Sequence, residues 1–460
     1  MERGTLNGMS ATVLERCHGM QNALERWGGL KIGEIALILA VHALVLFVGL
    51  PAIGAHLSPL YSHDQYIDGY NLIASNLADG NGYRFYQDTA PTLMREPGYP
   101  IALAGIFLAF GKSFTAVKIV NMCLTFVTAA LVVYLATMLS THRTASLLAP
   151  VIYLFHPGTL IAESRAGVES LFTTLIVLFF VLTLRAMRKD RLRDYLVAGG
   201  VLGLAVLVRS TPILFPILLL AYRLTTERRE GRSWTIFRNI SMLIFAMVVV
   251  LSPWIIRNYR LTGRIVPTAS VLGISAHAGQ FICSHLNEDK PWYLLDREAS
   301  RLRGEMATNL GYTFKQGEDY YQFFYKTDDE MRFSKYLIAG VVEKYRESPK
   351  LCAKCITYNL FNFWFAGKSG ASVALNLAVQ LPLLLCSIYG VIISAQYGRK
   401  VAALVVVFVA YFVAISVPIL AQARYSVPLL PFLAALTAAA MAAQWTSGSA
   451  DSLLQARGEA

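Results

Sequence analysis

Residues 35–54 read IALILAVHALVLFVGLPAIG, a run long and apolar enough to cross a bilayer. Upstream, residues 1–33 are polar and carry Arg3, Arg16, Arg26 and Lys31. That stretch is too long and too mixed for a signal-peptide n-region, so the run stays as a transmembrane helix with a cytoplasmic N-terminus. Downstream, residues 55–96 fall on the far side and are polar, with Asp64, Asp68, Asp79, Asp88, Arg95 and Glu96. The apolar run 99–110 is too short to span and reads as a re-entrant or interface-lying helix. Residues 115–140 are long enough, and end at His142 and Arg143, a cytoplasmic signal.

The alternation continues along the chain. Residues 145–161 cross outward and 168–187 return to Arg185, Arg188, Lys189, Arg191 and Arg193. Residues 195–209 and 211–223 form a hairpin whose exit is basic at Arg223, Arg228, Arg229, Arg232 and Arg238. Residues 236–256 cross outward into a long segment, 257–370, rich in tyrosine and expected to fold partly as amphipathic helices. Runs 373–396, 401–421 and 426–444 complete an all-α membrane protein of about ten spans, whose long first outer loop contains interface-lying helices. The expected organisation is a cytoplasmic segment 1–33, a polytopic domain 34–444 with outer loops 55–114 and 257–370, and a cytoplasmic tail 445–460.

Composition agrees. Of 460 residues, 55% are hydrophobic and 15% charged, well below the roughly 25% charged share of soluble domains. The mean hydropathy is +0.48. This excludes a disordered or collagen-like chain and argues against nucleic acid as a partner. The net charge of +12 reflects basic cytoplasmic loops. Six cysteines make no disulfide framework, and the CxxC at Cys352 and Cys355 lacks the second pair of a zinc site, so a packed helix is its default reading. Gly199 and Gly203 form a GxxxG, a mark of close helix packing.

Polar groups gather at the outer ends of the spans. The clusters are Ser62-His63-Asp64-Gln65-Tyr66, then Arg95-Glu96-Pro97-Gly98-Tyr99-Pro100, then residues 163–169 with Glu163, Arg165 and Glu169, and the arginines Arg209, Arg257 and Arg424. Ionisable groups near membrane depth are costly and tend to be functional. A carboxylate can take a proton from an acceptor, and arginines suit bidentate recognition of phosphate. A lipid-linked phosphosugar at the interface needs both. Each residue also has a plainer reading. A lone arginine at a span end is more often a snorkelling anchor, Asp64 could cap a helix, Arg165 and Glu169 could pair four residues apart, and His63 alone is more often structural. A transporter or lipid-sugar flippase would place its polar groups at the midplane, often in repeated halves, which this chain does not show. A lipid-diphosphate-dependent glycan polymerase or ligase also fits outer arginines.

In this order the clusters resemble the GT-C superfamily of membrane glycosyltransferases, and more closely the bacterial protein O-mannosyltransferase, ArnT and RgtA-type enzymes. The motifs are SHDQYIDGYNLIASNLADGNGY, REPGYPIALA, GVESLFTTLIVL, GGVLGLAVLVRSTPILFP, PWIIRNYRLTGRIVPTAS and ARYSVPLLP. The resemblance implies a multi-pass enzyme of the bacterial inner membrane with both termini cytoplasmic. It would move a hexosyl or pentosyl group from a polyprenyl-phosphate donor to a lipid, glycan or protein acceptor on the non-cytoplasmic face. It also implies Asp64 as the catalytic base, Glu169 in support, Arg209, Arg257 and Arg424 on the donor phosphate, and His63, Arg95 and Glu96 as first-loop contributors. Asp64 is followed by Gln65, where related enzymes often have a second acid. Some family members bind a divalent metal and others do not, so metal use stays open here.

Overall fold

The computed structural model describes residues 32–52, 68–227, 232–286, 290–367 and 369–458. It is a helical membrane protein. Seven helices are long and apolar enough to span: Gly33–Ala52, Phe114–Leu139, Glu169–Lys189, Ser233–Thr262, Gly370–Ser394, Arg399–Ser416 and Ala423–Gln444. An eighth results if Arg143–Leu154 and Pro157–Glu163, bent by 53° against each other, form one broken span. Two further runs read as spans are shorter. Leu192–Val208 has 17 residues, about 25 Å of helix, and Thr211–Thr226 is interrupted near its start by Pro212 and Pro216.

In chain order the helices are α1 (Ile32–Leu44, continued by a π turn Val45–Gly49), α2 (Tyr70–Ala78), α3 (Gly98–Phe110), α4 (Phe114–Leu139), α5 (Arg143–Leu154), α6 (Pro157–Glu163), α7 (Glu169–Lys189), α8 (Leu192–Val208), α9 (Phe215–Thr226) and α10 (Ser233–Thr262). The segment read as a long loop then folds as α11 (Leu272–Ser284), α12 (Trp292–Asn309), the antiparallel pair β1 (Phe314–Gln316) and β2 (Gln322–Phe324), α13 (Thr327–Glu347) and α14 (Pro349–Phe365). Helices α15 (Gly370–Tyr397), α16 (Arg399–Ser416) and α17 (Leu430–Gly458) follow, with a 3₁₀ segment Ala423–Leu429 leading into the last.

Local chemistry sets several boundaries. Ser113 caps α4 by accepting from the Ala116 N–H, and Ser369 and Ser372 form a capping box at α15. The bend between α5 and α6 falls at His156-Pro157. Pro157 opens the new helix, and His156 Nδ1 accepts from the Gly158 N–H at 3.0 Å. Glu169 in the first turn of α7, and Arg188 and Lys189 in its last, both favour the helix dipole.

The core between α7, α9, α16 and α17 is aromatic. Phe180, Phe408 and Phe432 meet with ring centroids 4.9–6.0 Å apart, and Phe215 lies on Phe408 at 5.0 Å. The GxxxG acts as read. Gly199 and Gly203 sit directly on the α10 backbone at Leu243 and Met247, where any side chain at Gly199 would overlap the Leu243 carbonyl. Helix α3, the run too short to span, buries Tyr99, Leu103 and Phe107 and leaves Ile101, Leu108 and Phe110 exposed. In α14, Cys355, Asn359 and Phe363 form a buried stripe.

Candidate functional site

The site is built where the start of α2, the entry to α3 and the chain between α16 and α17 meet. Asp68 and Gly69 lead into α2 and both adopt left-handed backbone, with φ of 60° and 71°. Aspartate tolerates this conformation better than most residues. It is held there by Arg95, whose Nε donates to the Asp68 carbonyl at 3.0 Å. At Gly69 a side chain would also crowd the Phe85 ring, at 3.1 Å. The turn aims the Asp68 carboxylate at Arg424, whose Nη1 and Nη2 donate to its two oxygens at 2.9 and 3.3 Å. Arg95 Nη2 stands 3.9 Å from the same carboxylate.

Arg424 is oriented by Gln422, which accepts from its Nε at 2.9 Å, and it faces Glu169 at 3.9 Å. Glu169 is buried at the first turn of α7. Arg209 caps the C-terminus of α8. Its guanidinium lies 4.2 Å from the Tyr425 ring centre and 6.0 Å from those of Phe172 and Phe412. Among the described residues no carboxylate pairs with it.

The Pro-Gly-Tyr-Pro motif has a structural reason. Gly98 packs against the last turn of α8, where a Cβ would come within 2.8 Å of Val208 and 2.9 Å of the Leu207 carbonyl. Only glycine lets the two chain segments approach so closely. Glu96 then accepts from the Ser210 N–H at 3.3 Å, and the Tyr83 hydroxyl donates to the Arg95 and Glu96 carbonyls at 3.0 Å. Arg95, Glu96 and Arg209 are thus fixed to one another through backbone contacts.

Burial pushes the Asp68 carboxyl upward. The charges of Arg424 and Arg95, the Arg424 hydrogen bonds and the charge of Arg209 overcome this and bring it down to about 2. Burial raises the Tyr70 hydroxyl above its usual range, against the charge of Arg95. The result is an ionised carboxylate held by two guanidinium groups, with a third guanidinium alongside.

The other residues singled out in the sequence are placed as follows. Asp64 and His63 lie outside the described residues. Arg257 does not join the cluster around Asp68. It lies on Trp254 and Tyr83, at 4.3 and 5.1 Å, and donates to the carbonyls of Thr92 and Tyr83 at 3.2 and 3.5 Å. Glu330 of α13 holds the same loop. Its carboxylate accepts from Thr92 Oγ1 at 2.8 Å, the Leu93 N–H at 3.0 Å and Ser270 Oγ at 2.5 Å. Burial raises the Glu330 carboxyl against these hydrogen bonds. Together Arg257 and Glu330 brace residues 92–95 from outside. Glu163 turns away from the site to pair with His42 of α1 at 2.8 Å, both fully buried.

Asp68 is the site residue that sequence reading passed over. Its signal was the Asp-Gly pair opening α2, which marks a left-handed turn. Among the described residues, no group of three or more His, Cys, Asp or Glu side chains is placed to hold a metal ion. The carboxylates of Asp68 and Glu169 face arginine, so the described donor set does not fit a divalent cation.

Residues 94–256 match the family model for dolichyl-phosphate-mannose-protein mannosyltransferase. The matched segment includes Arg95, Glu96, Glu169 and Arg209. The match spans about a third of the chain, and over those residues the chain is similar to that mannosyltransferase family. No curated protein matches it. Two solved structures share distant likeness. One is ArnT from Cupriavidus metallidurans bound to undecaprenyl phosphate, at a TM-score of 0.41 and 13% identity, covering 88% of this chain and 78% of that one. The other is the arabinosyltransferase EmbB from Mycobacterium smegmatis, at 0.34 and 14%, covering 84% of this chain and 41% of that one.

Proposed function

We propose that the protein transfers a hexosyl or pentosyl group from a polyprenyl-phosphate donor to a lipid, glycan or protein acceptor at the non-cytoplasmic face of a bacterial inner membrane, with both termini cytoplasmic. The observation that carries this reading is a clamped carboxylate, Asp68, within the field of Arg209, a guanidinium that no carboxylate engages among the described residues. A guanidinium resting on aromatic rings keeps its fork of donors for a phosphate oxygen.

The chemistry follows from these groups. The donor phosphodiester sits on Arg209, with Arg424 able to turn between Asp68 and the phosphate. The acceptor hydroxyl attacks the anomeric carbon, its proton passes to the Asp68 carboxylate, and the sugar–oxygen bond breaks. The electron pair leaves with the lipid phosphate, whose new charge the arginines stabilise. Glu169 and Glu96 hold the arginines in place. In this reading Asp68 takes the role that the family motif suggested for Asp64.

The test is transfer of labelled sugar from polyprenyl-phosphate donors by membranes carrying wild type, Asp64→Asn, Asp68→Asn or Arg209→Gln, in a host without the chromosomal copy. Asp68→Asn should lose about 10²–10⁴-fold in turnover, the usual contribution of a positioned base. Arg209→Gln should weaken donor use. Full turnover by Asp68→Asn with loss in Asp64→Asn would return the base to Asp64. Full turnover by both would remove either aspartate from the role.

A further inference from the structure

A second group of buried donors lies on α11 and α12, away from the cluster described above. Arg303 is 1% exposed, and its Nε and Nη1 find no hydrogen-bond partner. Ser300, one turn earlier on the same face of α12, has an unpartnered Oγ, and His277 of α11 an unpartnered Nδ1. All three side chains are at least nine-tenths buried. Among the described residues no carboxylate lies within ion-pair distance of Arg303, although Asp296 and Tyr321 lie within its field.

This is an expensive arrangement. A buried guanidinium with open donors is destabilising unless a partner arrives. His277 supplies no negative charge. Burial, with the charges of Arg303 and Lys344, brings it down to about 3, so it is neutral near pH 7. An anion is the partner that satisfies the group, and a planar arginine fork with a hydroxyl beside it matches a phosphate or carboxylate.

Two further features give the group an address. The first is a cavity of about 350 Å³ whose lining includes Arg301, Gly304, Glu305, Tyr320 and Gln322, with Arg301 paired to Glu305. Gln322, which lines that cavity, donates to the Ser300 backbone carbonyl at 2.8 Å. The second is Tyr321, whose hydroxyl feels the charges of Asp296 and Arg303 and also those of Asp68 and Arg95.

We infer that Arg303, Ser300 and His277 form a binding site for a phosphate or carboxylate group carried by the acceptor, entered from the cavity behind Gln322. This assignment of an acceptor rests on the glycosyltransferase reading, whereas the anion site itself does not.

The test has two arms. In the first, the purified full chain in detergent is titrated with inorganic phosphate, against chloride at equal ionic strength, and thermal unfolding is read. An Arg209→Gln background removes phosphate binding at the proposed donor site. Adding Arg303→Gln should weaken the apparent phosphate affinity at least tenfold, and Arg303→Lys less. An unchanged phosphate-induced rise in unfolding temperature overturns the site. If Arg303→Gln does not fold, Ser300→Ala and His277→Gln replace it, and each should weaken phosphate affinity at least threefold. Unchanged affinity in both overturns the site equally. In the second arm, Arg303→Gln should raise KM for a phosphate- or carboxylate-bearing acceptor at least tenfold, with donor KM unmoved. A weakened phosphate affinity with an unmoved acceptor KM overturns the acceptor assignment in favour of a free anion. Arg303-dependent phosphate binding without sugar transfer by the wild type would overturn the glycosyltransferase reading and leave the anion site standing.

Discussion

Replacing Arg424 with glutamine should make stability depend on pH in a defined way. Asp68 is about a fifth exposed, and its carboxyl falls from 3.8 to about 2 in the folded protein. A depressed carboxylate contributes stability that is fully present above its unfolded value and is lost as pH falls through the folded one. The fall corresponds to about 2 kcal/mol, with Arg424 the largest favourable cause through its charge and two hydrogen bonds. Arg424→Gln leaves Arg95 and Arg209 to hold part of the depression, and should therefore destabilise by about 1–2 kcal/mol between about pH 5 and 7. The gap from wild type should shrink below about pH 4 and nearly close by about pH 2, where wild-type Asp68, titrating at about 2, is half protonated. The assay is thermal or denaturant unfolding in detergent across that range. A gap that stays constant from pH 7 to about pH 2 would show that Arg424 acts through packing and its bond to Gln422 rather than through the Asp68 charge.

The same electrostatics predict that kcat/KM for the proposed transfer shows no acid limb from Asp68 between about pH 4 and 7, and that Arg424→Gln moves such a limb upward into that window, as read from a pH–rate profile. Glu330→Gln leaves one acceptor oxygen in place of two charged ones and should cost about 1–3 kcal/mol, measured by unfolding, with turnover falling as the 92–95 loop loosens. His42→Ala leaves Glu163 buried without its partner and should cost about 3–5 kcal/mol on the same assay. Gly199→Leu should abolish folding or yield, because the side chain has no space against the α10 backbone, whereas Gly200→Leu, in open space, should be tolerated when yields are compared by fluorescence-detected gel filtration.

Much of the helical framework was legible because an apolar run of sufficient length has few alternatives in a bilayer. Runs 115–140, 168–187, 236–256, 373–396 and 401–421 each correspond to one long helix, and 99–110 to a short one. The broken span was harder to read. His156-Pro157 both ends and starts a helix, and a hydropathy count passes over that bend. The geometry of the candidate site was partly legible. Arg424 faces Glu169 and shares the Tyr425 ring with Arg209, while Arg95 stands by Asp68 and Glu96 holds the Ser210 N–H. Which aspartate faces Arg424 could not be read, since Asp68 and Arg424 stand 356 residues apart and Asp64 shares the same loop. Arg257 and Arg209 look alike in sequence, both arginines at span ends. They differ only in what the fold lays beside them, loop carbonyls for one and aromatic faces for the other.

The contact of Gly98 with the end of α8 has a mechanical consequence. With no side chain between them, the turn that carries Arg95 and the residue that follows α8, Arg209, cannot slide independently. Asp68 is tied to the same block through its own carbonyl. Helix α13 holds the same block through Glu330, which accepts from Thr92 Oγ1 and the Leu93 N–H. A scaffold of this kind keeps a fixed gauge between the clamped carboxylate and the aromatic-seated arginine, where bonds would be exchanged.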